Sequence, residues 1–327
     1  MKKIMIFCMA LCMTLLSACN NPTNDDKIVE LGKGVVLAVG ESKMTTDEFL
    51  FFLDDIKNQM EGTELSADED WETAEIEGKK AIDIAKERAY ESAVMYLTQI
   101  EIAKNLGLEY TKEDMESMKG QINTAYFEQY KNADDLIELI CEASLYSGEL
   151  QQKMLEEETL TDEEISKYFE ENKSVFDSQY MRAKHVLILT QDPETGEAVS
   201  EAEKAEKKVQ AEDILKRAKG GENFDALVTE FSEDPGSASN PDGYVFTSGE
   251  MVTEFENCVK ELGMNEIGFT ETSYGYHVIQ RLDLDAEVCR DIISNVIYSE
   301  RFEKYIEDLT KEFKLEPVRN DEEYNNL

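Results

Sequence analysis

The chain contains two histidines, and both lie in short apolar runs typical of buried β-strands. His185 belongs to the run at residues 181–189, and His277 belongs to the run at residues 273–281. A single histidine on a strand is more often a hydrogen-bonded core residue than a catalytic one. Because these two lie on the first and last strands of one continuous segment, the sequence favours a shared site that uses both imidazoles.

Four short motifs follow one another in this segment. They are Ala-Lys-His at 183–185, Phe-Ser-Glu-Asp-Pro-Gly-Ser at 231–237, Gly-Glu-Met-Val-Thr-Glu-Phe at 249–255, and Tyr-Gly-Tyr-His-Val-Ile at 274–279. In this order and spacing they resemble the parvulin-type peptidyl-prolyl cis-trans isomerases. The resemblance implies a small antiparallel sheet with surrounding helices over residues 179–283.

Rotation about an X–Pro bond is slow because the nitrogen lone pair is shared with the carbonyl group. The barrier is about 18–20 kcal/mol, and uncatalysed exchange takes tens to hundreds of seconds. A catalyst must hold the proline ring, withdraw the carbonyl from water and favour the twisted amide. These tasks need an apolar slot beside a small polar network, and we expect no metal and no cofactor.

The resemblance supplies residues for both parts of such a site. It implies catalytic roles for His185, Asp234, Thr272 and His277, and a proline-ring pocket made by Phe246, Met251 and Phe255. Met251 and Phe255 are four residues apart, which predicts one face of a helix beginning near residue 251. We expect the histidines to orient one another and set polarity rather than act as general bases. Core packing for Met251 and Phe255, and a turn role for Asp234 before Pro235, remain alternatives.

The chain departs from the parvulin pattern in two loops. Asn240-Pro241-Asp242-Gly243 stands where many relatives have a Gly-Gly-Asp turn, and Tyr244 is bulkier than a residue lining a tight loop needs to be. The loop 191–200 has no run of basic residues, which a phosphate-reading site would require. Loop shape and substrate preference are therefore open, and phosphate-directed specificity is not expected.

The N-terminus has the layout of a secretory signal. Lys2 and Lys3 precede an apolar run at residues 4–16, which is too short to span a bilayer comfortably. Leu-Ser-Ala-Cys at 16–19 resembles a bacterial lipobox, which implies that Cys19 is lipidated. An ordinary cleaved signal is the alternative. Because two acyl signals hold a protein stably at a membrane, we expect an anchor on the outer face of the cytoplasmic membrane.

Composition limits the partners and the redox chemistry. The chain has 327 residues, enough for about two domains, and a net charge of −39. Such an acidic surface argues against nucleic acids and anionic lipids as partners. Beyond the signal region, Cys141, Cys258 and Cys289 show no metal-ligand spacing. Free thiols are favoured, and a Cys258–Cys289 bridge is the alternative.

Residues on both sides of the isomerase-like segment show mainly helical patterns. A strand at 35–39 is followed by Thr45-Thr46-Asp47-Glu48, a capping-box signature that begins a helix. The other predicted elements are helices over 71–106, 111–130 and 133–158, a helix from Thr161, a helix over 286–313 and a strand over 315–318. This arrangement resembles the PrsA-type foldase lipoproteins, which implies an isomerase domain inserted in a helical chaperone-like lobe, and pairing of copies through that lobe.

The predicted fold class is α+β. The predicted order is a signal at 1–18, a lipidated Cys19 and tether at 19–34, a helical lobe at 35–178, an isomerase domain at 179–283, the rest of the helical lobe at 284–318, and a disordered tail at 319–327. The favoured function is an extracytoplasmic isomerase and foldase for newly secreted, unfolded polypeptides. A non-catalytic chaperone lipoprotein is the alternative. A solute-binding lipoprotein fits poorly, because its lobes would need repeated strand–helix alternation.

Overall fold

The structure is a computed structural model that describes residues 31–192 and 195–327. The predicted signal, Cys19 and most of the predicted tether lie outside these residues. The strands are β1 (Val35–Val39), β2 (Ser42–Thr45), β3 (Glu75–Ile76), β4 (Lys79–Lys80), β5 (Tyr180–Leu189), β6 (Tyr244–Thr247), β7 (Ile267–Glu271), β8 (Gly275–Leu282) and β9 (Pro317–Arg319).

The helices connect and cover these strands. They are α1 (Thr46–Met60), α2 (Ala81–Asn105), α3 (Lys112–Lys119), α4 (Ala133–Glu157), α5 (Asp162–Gln179), α6 (Glu201–Lys219), α7 (Phe224–Phe231), α8 (Thr253–Glu261), α9 (Arg290–Phe313) and α10 (Asp321–Asn325). A 3₁₀ helix, Thr124–Gln129, lies between α3 and α4. None of the helices in the described ranges carries an apolar stretch long enough to cross a bilayer.

The described residues form two compact units. Unit 1 contains residues 31–148 together with 310–327, and unit 2 contains residues 149–192 and 195–309. The fold is therefore a mixture of helices and small antiparallel sheets, as the α+β prediction stated. The boundaries of the units fall within α4 and α9.

Unit 1 is built on a small antiparallel sheet with the strand order β2-β1-β9. The helix α1 begins with the predicted capping box, in which Thr45 accepts from the backbone of Glu48 and the Glu48 carboxylate accepts from the backbone of Thr45. Its inward face repeats at helical spacing, as predicted, and buries Phe49, Phe52, Leu53, Ile56 and Met60. This face packs beside α2 and the sheet, so local capping and apolar periodicity together define the helix.

The predicted helices over 71–106 and 111–130 are each shorter in the structure. The first becomes α2, which begins at Ala81, because residues 75–80 form the hairpin β3–β4. Glu77 and Gly78, at the turn of this hairpin, both have positive φ angles, 52° and 81°. Two such angles are typical of a type I′ turn, which a continuing helix cannot contain. The second prediction is divided between α3 and the 3₁₀ helix.

The prediction of a disordered tail at 319–327 is wrong. Arg319 closes β9, which pairs antiparallel with β1, and α10 follows directly. The Glu323 carboxylate accepts from the backbone N–H of Gly34 at 2.8 Å. The Tyr324 ring packs edge-on against Phe49, with 6.0 Å between the ring centroids. These contacts order the tail. Because the partner residues lie near the other end of the sequence, the polar composition of the tail alone does not predict them.

Unit 2 is built on a four-stranded antiparallel sheet with the order β6-β5-β8-β7. One face buries Val186, Ile188, Tyr276 and Val278 against α6 and α7. The opposite face carries Ala183 and Ile279 and packs against residues of α8. The compact unit extends beyond the predicted domain 179–283, because α5 and the first part of α9 pack together through a third cluster that includes Phe169, Phe176 and Ile293.

The three described cysteines are free thiols. Cys141 lies in unit 1, and Cys258 and Cys289 lie in unit 2. Cys141 and Cys289 are buried, and burial raises the pKa of the Cys289 thiol to about 11. The alternative of a Cys258–Cys289 bridge is therefore not what the structure shows.

Candidate active site

The pairing of β5 with β8 brings the two histidines together. His185 lies opposite Ile279, and His277 lies opposite Leu187, so the histidines are diagonal neighbours on adjacent strands. Residues two apart on a strand point to the same face. Both imidazoles therefore lie on the face that packs against α8, with 5.2 Å between their ring centroids. The predicted pair is thus brought together by register.

Each imidazole has its own polar neighbour. Nε2 of His185 lies 3.5 Å from Oδ2 of Asp234, and Nε2 of His277 lies 2.9 Å from Oγ1 of Thr272. The Thr272 hydroxyl oxygen also accepts from the backbone N–H of Tyr274, at 3.1 Å. The structure therefore brings Asp234 and Thr272, which are far apart in sequence, to the two sides of the histidine pair.

The two imidazoles do not hydrogen-bond to each other among the described residues. Nδ1 of His185 and Nδ1 of His277 are both buried, and neither has a hydrogen-bond partner in this part of the chain. The rings contact each other by packing, and Asp234 and Thr272 are their polar contacts; the expectation that the rings orient one another stays a prediction. Buried polar atoms without partners reduce stability by about 1–3 kcal/mol each, and they are rare away from functional sites.

Burial keeps both imidazoles neutral. It lowers the pKa of His185, and the nearby Asp234 carboxylate offsets this only in part. It lowers the pKa of His277 to about 3, helped by repulsion from His185 and opposed by Asp234. A neutral imidazole has one N–H donor and one lone pair. Because a carboxylate only accepts, Nε2 of His185 is assigned the proton and Nδ1 the lone pair.

Asp234 is held by a dense set of donors. Its carboxylate accepts from the Tyr244 hydroxyl at 2.6 Å, from the Ser237 hydroxyl at 3.0 Å and from the backbone N–H of Gly236 at 3.0 Å. Burial would raise the pKa of Asp234, but these donors and His185 outweigh it and lower the pKa. Asp234 is therefore ionised at neutral pH. It also caps the Pro235-Gly236 turn, so its turn role and its site contact coexist.

Sequence reasoning missed Tyr244 as part of this network. The residue was noted only as a bulky departure from the parvulin pattern. In the structure its ring stacks on His185, with 5.7 Å between centroids and 21° between planes. The available signal was the strand itself: Tyr244 is two residues before Phe246 and must share its face.

The predicted proline-pocket residues form the apolar part of the same face. Phe255 lies edge-on to both histidines, at centroid distances of 5.2 Å from His185 and 5.6 Å from His277. Phe246 packs beside Phe255 at 5.9 Å. Both phenylalanines are buried, whereas Met251 is only partly buried at the edge of the cluster. The side chains predicted to line a pocket are therefore also core side chains, so the two alternatives do not exclude each other.

Met251 lies outside the helix that was predicted to begin near it. The helix α8 begins at Thr253, and Val252 is its N-cap residue. Met251 is placed instead by Glu256, whose buried carboxylate accepts from the backbone N–H groups of Gly249 and Met251. Lys260 donates to the other oxygen of the same carboxylate. The loop before α8 is thus tied to the helix through one side chain.

A cavity of about 530 Å³ lies at the far end of the same sheet face. It is lined by Met181, Thr247, Lys260 and Arg281, with residues of the α5–β5 junction. Met181 also packs against the cluster that contains Phe246 and Phe255. This cavity therefore adjoins the apolar part of the candidate site.

Comparison with known proteins gives consistent matches. Residues 164–284 match the family model of the PPIC-type PPIase domain. The Foldase protein PrsA of Caldanaerobacter subterraneus subsp. tengcongensis is 30% identical over 252 residues, which cover 75% of this chain and 72% of that protein. The Foldase protein PrsA of Halalkalibacterium halodurans is 28% identical over 82% of this chain and 69% of that protein. The crystal structure of PrsA from Bacillus subtilis matches 71% of this chain and 86% of that chain, at 20% identity and a TM-score of 0.31.

Proposed function

The chain belongs to the PrsA family of foldases and is a parvulin-type peptidyl-prolyl cis-trans isomerase, and from this we propose that its active site is the face of unit 2 that carries His185, His277 and Phe255. The observation that carries the proposal is the meeting of two neutral imidazoles 5.2 Å apart, with one phenylalanine edge-on to both. This face offers apolar and polar groups side by side. A proline ring and the peptide carbonyl that precedes it need both.

The apolar groups hold the proline ring. The pyrrolidine has no N–H donor in an X–Pro bond, so its burial beside Phe255 and Met251 leaves no donor unsatisfied. Partly buried Met251 and Tyr244 form the accessible edge of the cluster, and a ring that packs there loses apolar contact with water. Burial of the ring in this way favours binding by a free energy of the order of 1–3 kcal/mol. Binding energy of this kind holds the bond in place while it rotates.

The polar groups act on the amide without covalent chemistry. Planarity is favoured because charge shifts from nitrogen to the carbonyl oxygen, and water stabilises that polar form. A positively charged group at the oxygen would stabilise it further and slow the rotation. Because His185 and His277 are neutral at pH 7, they offer weaker dipoles in a site from which water is excluded. The twisted amide is then less disfavoured relative to either planar form.

A proline-limited refolding assay tests this site. We expect catalytic amounts of the wild-type protein to accelerate the slow phase, and His185→Ala to reduce the acceleration at least tenfold with the far-UV circular dichroism unchanged. Tyr168→Phe, in the α5 region of unit 2, is the matched control and should behave as wild type. Full activity in folded His185→Ala would remove the histidine pair from the mechanism. Absence of acceleration by wild type, with aggregation still suppressed, would favour the non-catalytic chaperone.

We also propose that the protein works outside the cytoplasm on unfolded polypeptides and is held to the membrane by a lipid on Cys19. The Leu-Ser-Ala-Cys string at 16–19 supports the anchor. The intact mass after detergent extraction of membranes should exceed that of the polypeptide from Cys19 onward by an acylated glycerol group. Cys19→Ser should lose this mass and Cys12→Ser should not. An unmodified wild-type mass would contradict the anchor.

Pairing of two copies through the helical unit 1 is a further part of the proposal. Light scattering of the detergent-solubilised protein across a dilution series tests it. The protein mass should rise with concentration from that of one mature, lipidated chain towards twice that value; the unprocessed chain has a mass of 37.3 kDa. A constant monomer mass at the highest concentrations would contradict the pairing.

A further inference from the structure

We propose that Tyr244 is a positioning residue of the active site, which holds the Asp234 carboxylate against His185 and covers one face of that imidazole. The inference rests on the proposed active site. Tyr244 is not among the residues that the parvulin resemblance assigned. Its role is argued from the strand register, from two contacts of its side chain and from the close packing of Gly236.

The strand register places the Tyr244 side chain on the catalytic face. Tyr244 on β6 lies opposite Ala183 on β5, and Ala183 is two residues before His185. Side chains at this spacing share a face, so the phenol ring lies diagonally next to the imidazole. The two rings are nearly parallel, at 21°, with 5.7 Å between their centroids. The ring therefore shields one side of His185 from water.

The hydroxyl of the same side chain fixes the carboxylate. It donates to Oδ2 of Asp234 at 2.6 Å, and this oxygen is the one that faces Nε2 of His185. One tyrosine thus contacts both members of the Asp234–His185 pair, through its ring and through its hydroxyl. Removal of the hydroxyl alone would leave the stacking in place and release the carboxylate, so the two contacts can be separated by experiment.

The charge on Asp234 depends on this donor. The titratable groups that face the carboxylate are His185 on β5, His277 on β8 and Tyr244 on β6. Both histidines are neutral at pH 7, so neither supplies a full positive charge beside the carboxylate. The phenol hydroxyl is the strongest contributor that favours the ionised form against the effect of burial. Without it, Asp234 protonates at a higher pH.

An ionised Asp234 matters because it sets the tautomer of His185. The negative charge of the carboxylate, 3.5 Å from Nε2 of His185, favours an N–H at that atom and leaves the lone pair on Nδ1. A protonated Asp234 can donate, which removes this preference and allows the ring to invert its donor and acceptor atoms. The polarity that the site presents to an amide would then change at low pH.

The packing of Gly236 shows how closely Tyr244 is held. A Cβ atom on Gly236 would overlap the Tyr244 hydroxyl oxygen and come within 3.4 Å of Oδ1 of Asp234. The backbone of Gly236 does not have a positive φ angle, so alanine is acceptable there on conformational grounds. Gly236→Ala therefore offers a second way to displace the hydroxyl, without removing it.

The test measures kcat/KM for isomerisation of a proline peptide between pH 7 and pH 3, a range that extends to the pH at which an aspartate with a lowered pKa takes up its proton. We expect Tyr244→Phe to reduce the value about three- to tenfold at pH 7, because part of a charge-assisted hydrogen bond is lost. We also expect the loss of activity on acidification to begin about one pH unit higher than in wild type. Gly236→Ala should show the same pH shift. Tyr168→Phe should match wild type at each pH.

A double-mutant cycle separates positioning from general structural damage. If Tyr244 acts through Asp234, Tyr244→Phe should have little further effect in an Asp234→Asn background, within about twofold. An equal loss in both backgrounds, or a wild-type pH profile for Tyr244→Phe, would overturn the inference. An inactive wild-type protein would instead overturn the proposed active site itself, so the two failures are distinguishable.

Discussion

The buried imidazoles of His277 and His185 make the stability of unit 2 depend on pH. Burial lowers the pKa of His277 to about 3, whereas a histidine in an unfolded chain has a pKa near 6.5. Between these values the unfolded chain binds a proton that the folded chain does not bind. The contribution of His277 to the free energy of unfolding is therefore fully present above pH 6.5, and it is lost progressively as the pH falls towards 3. His185 acts in the same direction.

We expect His277 to contribute a loss of about 2 kcal/mol in the free energy of unfolding between pH 7 and pH 5. His277→Asn should remove this contribution, so its stability should depend less steeply on pH. Urea denaturation followed by far-UV circular dichroism at pH 7, 6 and 5 measures both slopes. Parallel slopes for the two proteins would show that the imidazole takes up a proton in the folded state.

Two buried phenylalanines of unit 2 allow pocket function to be separated from core packing. Phe255 contacts both histidines, whereas Phe224 is buried in the cluster on the other face of the sheet. Phe255→Leu and Phe224→Leu should each lower the free energy of unfolding by roughly 1–2 kcal/mol, because both replace a ring with a smaller apolar group.

Only Phe255→Leu should weaken isomerisation, with a rise of several-fold in KM for a proline peptide. Thermal melts and steady-state kinetics on the two variants give both quantities. A similar kinetic defect in Phe224→Leu would mean that loss of stability, and not loss of the pocket, explains the effect.

At the scale of elements, the C-terminal strand and helix complete unit 1. Leu37 of β1 pairs with Arg319 of β9, and the Arg319 guanidinium lies over the ring of Tyr324 at 4.4 Å. The Tyr324 ring then packs edge-on against Phe49 and Tyr90. One short segment therefore contributes sheet hydrogen bonds, a cation–π contact and aromatic packing to the same core.

Tyr324→Ala should lower the stability of unit 1 by about 1–3 kcal/mol, because it removes the ring from these contacts. The chain has one tryptophan, Trp71, which lies in unit 1, so its fluorescence reports on this unit. When urea unfolding is followed by this fluorescence, the midpoint urea concentration should be lower for Tyr324→Ala than for wild type. Asn325→Ala, at the next and exposed position of α10, should not shift it. Equal midpoints in Tyr324→Ala and wild type would mean that the tail adds nothing to this core.

Elements whose signals are local could be predicted from the sequence. The capping boxes at Thr45 and Thr161 each need only the residue three positions later, and both are present. The helix α4 follows the apolar pattern predicted over 133–158. The strands that carry His185 and His277 were predicted from their apolar runs, and the four motifs of the isomerase segment indicated that both strands belong to one compact segment.

Features that depend on distant partners could not be predicted. The tail is ordered through contacts with Gly34 and Phe49, which lie far away in sequence. Tyr244 donates a hydrogen bond to Asp234, which lies in a loop. The strand pattern shows that Tyr244 and Phe246 point to the same face, but it does not identify the hydrogen-bond partner. The hairpin at 75–80 was not predicted, because its turn includes Glu77 with a positive φ angle, which is uncommon for a residue other than glycine. Tertiary context decided each of these cases.

At the scale of the whole molecule, repulsion between acidic groups opposes the compact state. The chain has 72 Asp and Glu against 33 Lys and Arg. Even if each basic residue paired with one acid, more than half of the acids would remain without a basic partner. Added salt screens this repulsion, since the Debye length is roughly 10 Å at 0.1 M and shorter at higher concentrations.

We therefore expect the melting temperature to rise by several degrees when sodium chloride is increased from about 20 to 300 mM. Potassium chloride at the same ionic strength should give the same rise, because the effect is one of screening. Calorimetry or circular dichroism measures both series. A melting temperature that falls with salt would show that surface ion pairs outweigh the net repulsion.

The strand pairing of unit 1 also has a consequence for the order of events during synthesis. A polypeptide leaves the ribosome from its amino end, so β1 emerges long before the β9 strand that pairs with it. In contrast, every strand of the unit 2 sheet lies between residues 180 and 282, and its neighbours emerge close together. The sheet of unit 2 can therefore assemble on the nascent chain before β9 has been synthesised, while one edge of β1 is still unpaired.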